Sequence, residues 1–303
     1  MQRVLLLLAL AACGGREPSR RAPAAQPALP ASPPPLTHDA YVWQRAWTGS
    51  VRAAVAGAPS ELAGLRVLTL EVGRDGTAVW PAVDPASLVR AARPITAVVR
   101  LDGSRPPAGL SLTPVLARLD AWRSAGVTVA GLEIDHDCAT AGLAGYAAWL
   151  AAARPPRAAT PRFSITALPT WTGSPALRRV AAAVDELVVQ VHAVRAPRLF
   201  DEAEARRWLE AFAAAVPDAA LRVALPTYEV DRRGQTLAAE PDEVGDLLRS
   251  LEQRPIAGVT GVVWFRLPIA RDVTAWPAPV LAAVIRGAPR PRAATVEDTV
   301  DAP

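Results

Sequence analysis

The sequence predicts an α/β protein built on a single (β/α)8 TIM-type barrel, and two observations support this prediction. Short, continuous apolar runs alternate with longer segments that have helical periodicity. Eight such pairs fit the size of a barrel, about 250 residues, and continuous apolar runs are typical of parallel strands covered by helices. An open doubly wound sheet is the alternative, but no glycine-rich phosphate loop follows the first apolar run.

The predicted strands and helices follow one another along the chain. The strands are residues 40–44, 65–71, 95–101, 128–134, 162–168, 185–192, 221–226 and 260–266. Between them, Leu112 to Ser124 and Leu143 to Ala153 have clear helical patterns, and Asp84-Pro85 and Thr140 are helix start signals. We expect the barrel domain to span residues 38–287.

The N-terminus has the layout of a secretion signal. Arg3 precedes the apolar run Val4 to Leu10, which is too short to cross a bilayer. Leu10-Ala11-Ala12-Cys13 resembles the lipobox read by lipoprotein signal peptidase, although a leader that contains a cysteine by chance is the alternative. We therefore expect cleavage after residues 1–12 and membrane attachment through lipid, such as palmitate, on Cys13. Gly14 favours the outer membrane of a two-membrane envelope.

The flanking segments and the composition limit the possible partners. Residues 13–37 are expected to form a Pro/Ala-rich tether and residues 288–303 a disordered tail. After cleavage Cys138 is the only cysteine besides the lipidated Cys13, so no intramolecular disulfide is expected and stability must come from a packed core. The net charge is only +4 and the arginines are scattered among acids, so no nucleic-acid partner is expected. No cofactor is expected, and the chain is expected to be a monomer.

Three acids at the end of the fourth predicted strand are the strongest functional signal. Glu133, Asp135 and Asp137 occupy every second position, which places them on one face, taken to be the barrel interior. Repulsion and desolvation in a shielded pocket should raise the pKa of at least one carboxyl group. Asp137, nearest the barrel mouth, is predicted to be the general acid, and the other two acids would orient it or share its proton.

Polar and aromatic residues at the other strand ends are candidates for substrate binding, because active sites of such barrels lie at the C-terminal ends of the strands. Flat aromatic rings can stack on sugars while charged groups bind hydroxyls. The candidates are Trp43, Arg45, Glu71, Trp171, Gln190, His192, Tyr228, Trp264 and Arg266.

Structural alternatives exist for these residues. The three acids could form a structural cluster neutralised by Arg45, Arg100 or Arg266, or they could bind a divalent metal ion. The tryptophans at strand ends could be core residues. His136 should face away from the acids and pack against a covering helix, and Cys138 is expected to be a buried thiol rather than a nucleophile.

The acid pattern is similar to the strand-four signature of glycoside hydrolase family 18, whose last acid protonates the glycosidic oxygen. Asp137 stands where that family has Glu, and Gln190 and Trp264 are the nearest counterparts of its residues on strands six and eight.

A longer resemblance is to the bacterial family called domain of unknown function 3142. It rests on the segments 43–47, 133–138 with Tyr146, 164–171, 184–186 and 224–228. That family is regarded as barrel-shaped and glycosidase-like. The resemblance supports the fold more than the reaction. Together with the lipobox-like segment, the three acids and the tryptophans, it predicts an envelope lipoprotein that binds a polysaccharide or oligosaccharide and cleaves it by carboxylate acid catalysis. A non-catalytic carbohydrate-binding or scaffold lipoprotein and a metal-dependent hydrolase remain as alternatives.

Overall fold

The structure is a computed structural model, and it describes residues 34–106, 109–194, 198–232 and 234–288. The predicted signal peptide, Cys13, residues 13–33 of the predicted tether and residues 289–303 of the predicted tail lie outside the described residues. Within the described residues, no helix is long and apolar enough to cross a membrane.

Eight parallel strands form a closed barrel, so the predicted fold is confirmed. The strands are β1 Thr37–Val42, β2 Gly64–Val72, β3 Ile95–Leu101, β4 Val129–His136, β5 Arg162–Ala167, β6 Glu186–Gln190, β7 Leu221–Pro226 and β8 Val259–Phe265. Each strand pairs with the next in parallel, and β1 pairs with both β2 and β8, which closes the sheet.

A helix follows each strand and covers the outside of the barrel. The helices are α1 Gly49–Ala56, α2 Pro85–Ala91, α3 Thr113–Ser124, α4 Leu143–Ala153, α5 Leu177–Ala182, α6 Glu202–Ala215, α7 Pro241–Gln253 and α8 Ala278–Ile285. The start signal predicted for α2 is confirmed, because the Asp84 side chain accepts a hydrogen bond from the Ala86 amide and Pro85 begins the helix.

Two small elements at the C-terminal ends of the strands were not predicted. A two-residue strand, Ala78–Val79, pairs antiparallel with the end of β2. A hairpin of Glu229–Arg232 and Gln235–Ala238 follows β7. Both are exposed and partly polar, so neither has the continuous apolar run that identified the barrel strands.

The core has two parts, because successive strand residues point to opposite faces of the sheet. Most buried apolar side chains lie in one large cluster that includes residues of both the strands and the surrounding helices. A small cluster lies on the interior face, and its members are Tyr41, Val98, Val188, Ala224 and Val263. Few apolar groups therefore fill the barrel axis, and polar groups occupy much of the remainder.

A buried ion network occupies the barrel interior toward the N-terminal ends of the strands. The fully buried guanidinium of Arg66 pairs with Asp39 (Nε–Oδ2, 3.1 Å), with Glu186 (Nη2–Oε1, 2.6 Å) and with Glu133. Arg222 also pairs with Asp39 (Nη1–Oδ2, 3.2 Å). Burial of charges is costly unless each is paired, and this network meets that condition for Glu133.

Candidate active site

The three acids in and directly after β4 follow the interior of the barrel toward its mouth, and their exposure rises in the order of the chain. The Glu133 side chain is fully buried, the Asp135 side chain is 6% exposed and the Asp137 side chain is 46% exposed. Only Asp137 is therefore freely accessible to a ligand that enters from solvent.

Glu133 is held by groups inside the barrel. The Tyr41 hydroxyl donates to Glu133 Oε1 (2.6 Å), the Ser164 hydroxyl donates to Oε2 (3.3 Å), and Arg66 forms an ion pair with it. Burial raises the pKa of Glu133, while the charge of Arg66 and the Tyr41 hydrogen bond oppose this rise. Glu133 links the ion network to Tyr41, which lines a cavity at the C-terminal ends of the strands.

Asp135 and Asp137 share one arginine at the mouth of the barrel. Arg100 Nη1 donates to Asp135 (2.8 Å), Nη2 donates to Asp137 (2.8 Å) and Nε donates to Asp102 (3.2 Å). The Thr166 hydroxyl donates to Asp135 (2.7 Å). Burial raises the pKa of Asp135, and the Arg100 charge opposes that rise.

Three arginines were candidates to neutralise the acid triplet, Glu133, Asp135 and Asp137. Of these, Arg100 pairs with two of the acids, Asp135 and Asp137. Arg45 instead forms an ion pair with Glu71, and Arg266 forms one with Asp272 (2.5 Å). The main partner of Glu133, Arg66, was not predicted.

A cavity of about 350 Å3 opens at the C-terminal ends of the strands, where Asp135 and Asp137 form part of its wall. Six predicted binding residues also line it, namely Trp43, Arg45, Glu71, Gln190, His192 and Tyr228. The wall also contains six residues for which the sequence predicted no binding role, namely Tyr41, Arg100, Asp102, Thr166, Ala224 and Phe265. Most of these residues could have been predicted from the alternation of side chains along each strand, continued to the last position that faces the interior.

One wall of the cavity is aromatic. The ring centroid of Phe265 lies 5.3 Å from that of Trp43, 5.6 Å from that of Tyr228 and 5.8 Å from that of His192. Burial lowers the pKa of His192 to about 4, so its ring is neutral at pH 7. This wall offers apolar faces to a sugar ring, and the acids offer hydrogen-bond acceptors.

The structure does not bring the predicted binding residues Trp171, Trp264 and Arg266 to the cavity wall. Trp171 is buried in the turn after β5, where its Nε1 donates to the Cys138 carbonyl (2.8 Å). Trp264 is buried on the outer face of β8, since the alternation of the strand brings its neighbour Phe265 to the interior. Arg266 is held by Asp272 and does not line the cavity.

Two further expectations are confirmed. His136 is buried on the outer face of β4, where its ring packs edge-on against Tyr146 of α4 with centroids 5.0 Å apart. Cys138 is a buried thiol, and burial raises its pKa, which disfavours the reactive thiolate.

The acids are not arranged as a metal site. Among the described residues, no group of three or more His, Cys, Asp or Glu side chains could hold one metal ion. Arg100, placed between Asp135 and Asp137, supplies the positive charge that a cation would otherwise provide. The arrangement is suited to proton transfer and to hydrogen bonding with hydroxyl groups.

The His38–Trp264 contact predicts a pH dependence of stability. His38 is buried and its Nδ1 accepts from Trp264 Nε1 (3.2 Å), an interaction that requires the unprotonated nitrogen. Burial lowers the pKa of His38 from 6.5 to about 4. Between these values the unfolded chain binds a proton that the folded chain does not, so stability falls as pH falls.

His38→Gln removes this titration but keeps an acceptor for Trp264. We expect wild type to lose roughly 3 kcal/mol more unfolding free energy than the variant between pH 7 and about pH 4. Urea unfolding of both proteins at each pH measures the difference, in which the other titrating groups cancel. Parallel pH profiles would contradict the role of His38.

Residues 91–234 match the family model named domain of unknown function 3142. The predicted resemblance to this family is therefore confirmed. The matched segment runs from the end of α2 to the hairpin after β7, so it contains Arg100, the three acids and Tyr228. A search of curated proteins gave no match.

Solved structures show the same fold. A chitinase from Chromobacterium violaceum has a TM-score of 0.60 and 11% identity over 83% of this chain and 98% of that chain. A chitinase of glycoside hydrolase family 18 from Pseudoalteromonas aurantia has a TM-score of 0.53 and 11% identity over 83% and 98%. The xylanase and alpha-amylase inhibitor protein XAIP-II from Scadoxus multiflorus has a TM-score of 0.54 and 11% identity over 84% and 99%. This chain thus shares the TIM-barrel fold of these proteins.

Proposed function

We propose that this barrel binds a glycan in the cavity at its C-terminal mouth and hydrolyses a glycosidic bond, with Asp137 as the general acid. The observation that carries the proposal is the position of Asp137. It is the most exposed acid of the triplet, and it lies on the wall of a cavity that also has aromatic side chains. The fold shared with chitinases agrees with a carbohydrate substrate.

The chemistry requires a protonated carboxyl group at the glycosidic oxygen. A sugar that fills the cavity removes water from Asp137, and desolvation favours the neutral acid. Asp137 then donates its proton to the leaving oxygen as the glycosidic C–O bond breaks. Water adds its hydroxyl group to the anomeric carbon, and its second proton returns to the Asp137 carboxylate. Asp135, oriented by Thr166 and Arg100, would face the positive charge that develops on the sugar.

A non-catalytic carbohydrate-binding barrel is the second candidate. One observation favours it, because Arg100 pairs with both Asp135 and Asp137. A guanidinium at hydrogen-bond distance stabilises the ionised carboxylate and so opposes protonation. In this case the acids and the aromatic wall would bind sugar without cleaving it.

A glycan screen distinguishes the two functions. The full chain and its Asp137→Asn variant are tested against neutral and acidic oligosaccharides, and both binding and newly formed reducing ends are measured. Binding with release of sugar by wild type alone supports the hydrolase. Binding by both proteins without release supports the second candidate, and the absence of binding by either protein would refute both.

We also propose that the chain is anchored in the cell envelope by lipid on Cys13, with the barrel in the periplasm or at the cell surface. The lipobox-like segment before Cys13 supports this proposal. Cells that express the full chain with an alkyne-labelled fatty acid should label wild type and not Cys13→Ala. Cys138→Ala is the matched control and should keep the label. Labelling of Cys13→Ala would contradict the anchor.

A further inference from the structure

A second cavity adjoins the first at the barrel mouth. Its volume is about 450 Å3, and it shares two wall residues, Asp102 and Asp137, with the cavity of the proposed active site. Its other wall residues are Arg74, Gly103, Ser104, Arg105 and Ala139. Because Asp137 belongs to both walls, a chain of sugars bound at Asp137 can occupy both cavities.

Two arginines place positive charge in the wall of the second cavity. Arg74 and Arg105 are exposed, and within the part of the chain that the structure describes neither guanidinium has a hydrogen bond or an ion pair. The arginines of the first cavity differ in this respect, since Arg45 pairs with Glu71 and Arg100 pairs with three carboxylates. The donors of Arg74 and Arg105 are therefore available to a ligand.

The loop after β3 packs against the side chain of Arg74. Gly103 has a φ of +100°, and a Cβ atom at this position would lie 3.3 Å from Arg74 Cγ. Glycine therefore permits both the backbone conformation and the close packing of the loop against the arginine stem. The Arg74 stem therefore lies against this loop, in the wall of the second cavity.

Resting on the proposed glycan binding, we propose that the second cavity is a subsite for a sugar that carries an anionic group, either a carboxylate or a sulfate. Arginine presents a planar fork of donors that matches such groups with two hydrogen bonds. The first cavity would bind the same sugar poorly, because its arginines, Arg45 and Arg100, are already paired with carboxylates. The substrate class is thus an acidic glycan whose charged residue lies beside the sugar bound at Asp137.

Affinities of matched oligosaccharides test this subsite. The probes are a hyaluronan hexasaccharide, an oligogalacturonate hexasaccharide and each of these after reduction of its carboxyl groups to alcohols. A chondroitin sulfate hexasaccharide tests sulfate, and chitohexaose, which is uncharged, reports on the proposed glycan binding alone. The proteins are the full wild-type chain, the double variant Arg74→Gln/Arg105→Gln and Arg207→Gln. Arg207 is exposed on α6 and lies outside both cavity walls, so it is the matched control.

Wild type should bind at least one acidic probe about tenfold more tightly than the corresponding neutral probe. The preference should disappear in the double variant, persist in Arg207→Gln and weaken as salt is added. Equal affinities for acidic and neutral probes, or a preference that survives in the double variant, would overturn the subsite and leave the proposed function intact. If no probe binds, including chitohexaose, the proposed function fails together with the subsite.

Discussion

Asp137→Asn is expected to lower kcat for glycan hydrolysis by about 100- to 10,000-fold, the usual contribution of a general acid. The amide is nearly isosteric but cannot donate a carboxyl proton, so the leaving sugar would depart without protonation. The effect on binding should be small, because the aromatic wall and the remaining acids are unchanged. Release of reducing ends measures kcat, and calorimetry measures glycan affinity.

Asp102→Asn is the matched comparison. Asp102 has the same side-chain exposure as Asp137, 46%, and it also pairs with Arg100. It lies outside the triplet but lines both cavities, so its variant measures the loss of an Arg100 ion pair and of one wall carboxylate while all three acids stay in place. We expect its kcat to stay within about tenfold of wild type, an effect the size of a single hydrogen bond to a charged group. Unchanged turnover in Asp137→Asn, or equal losses in the two variants, would remove Asp137 from the catalytic role.

Arg66→Met is expected to lower the free energy of unfolding by about 3–5 kcal/mol, because it leaves buried carboxylates without their cation. Glu133 and Glu186 would lose their closest positive charge, whereas Asp39 would keep Arg222. Urea unfolding at pH 7 measures the loss. A decrease below about 1 kcal/mol would show that the network contributes no more than an exposed ion pair.

A control variant and a pH series test the interpretation of this measurement. Arg249→Met removes an exposed arginine that pairs with Asp246 on the same helix, and it should cost about 0–1 kcal/mol. The deficit of Arg66→Met should also shrink as pH falls. Burial already raises the pKa of Glu133 in the wild type, and the variant lacks the Arg66 charge that opposes this rise. Glu133 should therefore bind a proton at a higher pH in the folded variant than in the unfolded chain, and this proton uptake stabilises the folded variant as pH falls. If Arg66→Met does not fold at pH 7, refolding at lower pH tests the same network.

Much of the barrel could be predicted because the pattern that identifies a buried strand is local. A strand covered by helices needs continuous apolar residues, and the observed β3 and β7 coincide with the predicted 95–101 and 221–226. The hairpin after β7 could not be predicted in this way, since it is exposed and makes few apolar contacts.

Residue alternation within a strand was informative only while the strand stayed regular. It placed Glu133, Asp135 and Asp137 on one face of β4. In β2, an irregularity between Leu68 and Leu70 changes the alternation, so Arg66 and Glu71 both reach the interior although one position is even and the other odd. Nothing in the local sequence indicated this shift.

By itself, the sequence determined the eight strand–helix units, the line of acids on β4 and the lipobox-like segment before Cys13. Only the tertiary structure decided how the charges are paired. Glu133 and its cation Arg66 are 67 residues apart, and Asp135 and Arg100 are 35 residues apart. Such pairs depend on which strands become neighbours and on their register when the barrel closes. Closure also decided that Phe265 rather than Trp264 faces the cavity, because the side chains of a strand must alternate between the interior and the helices.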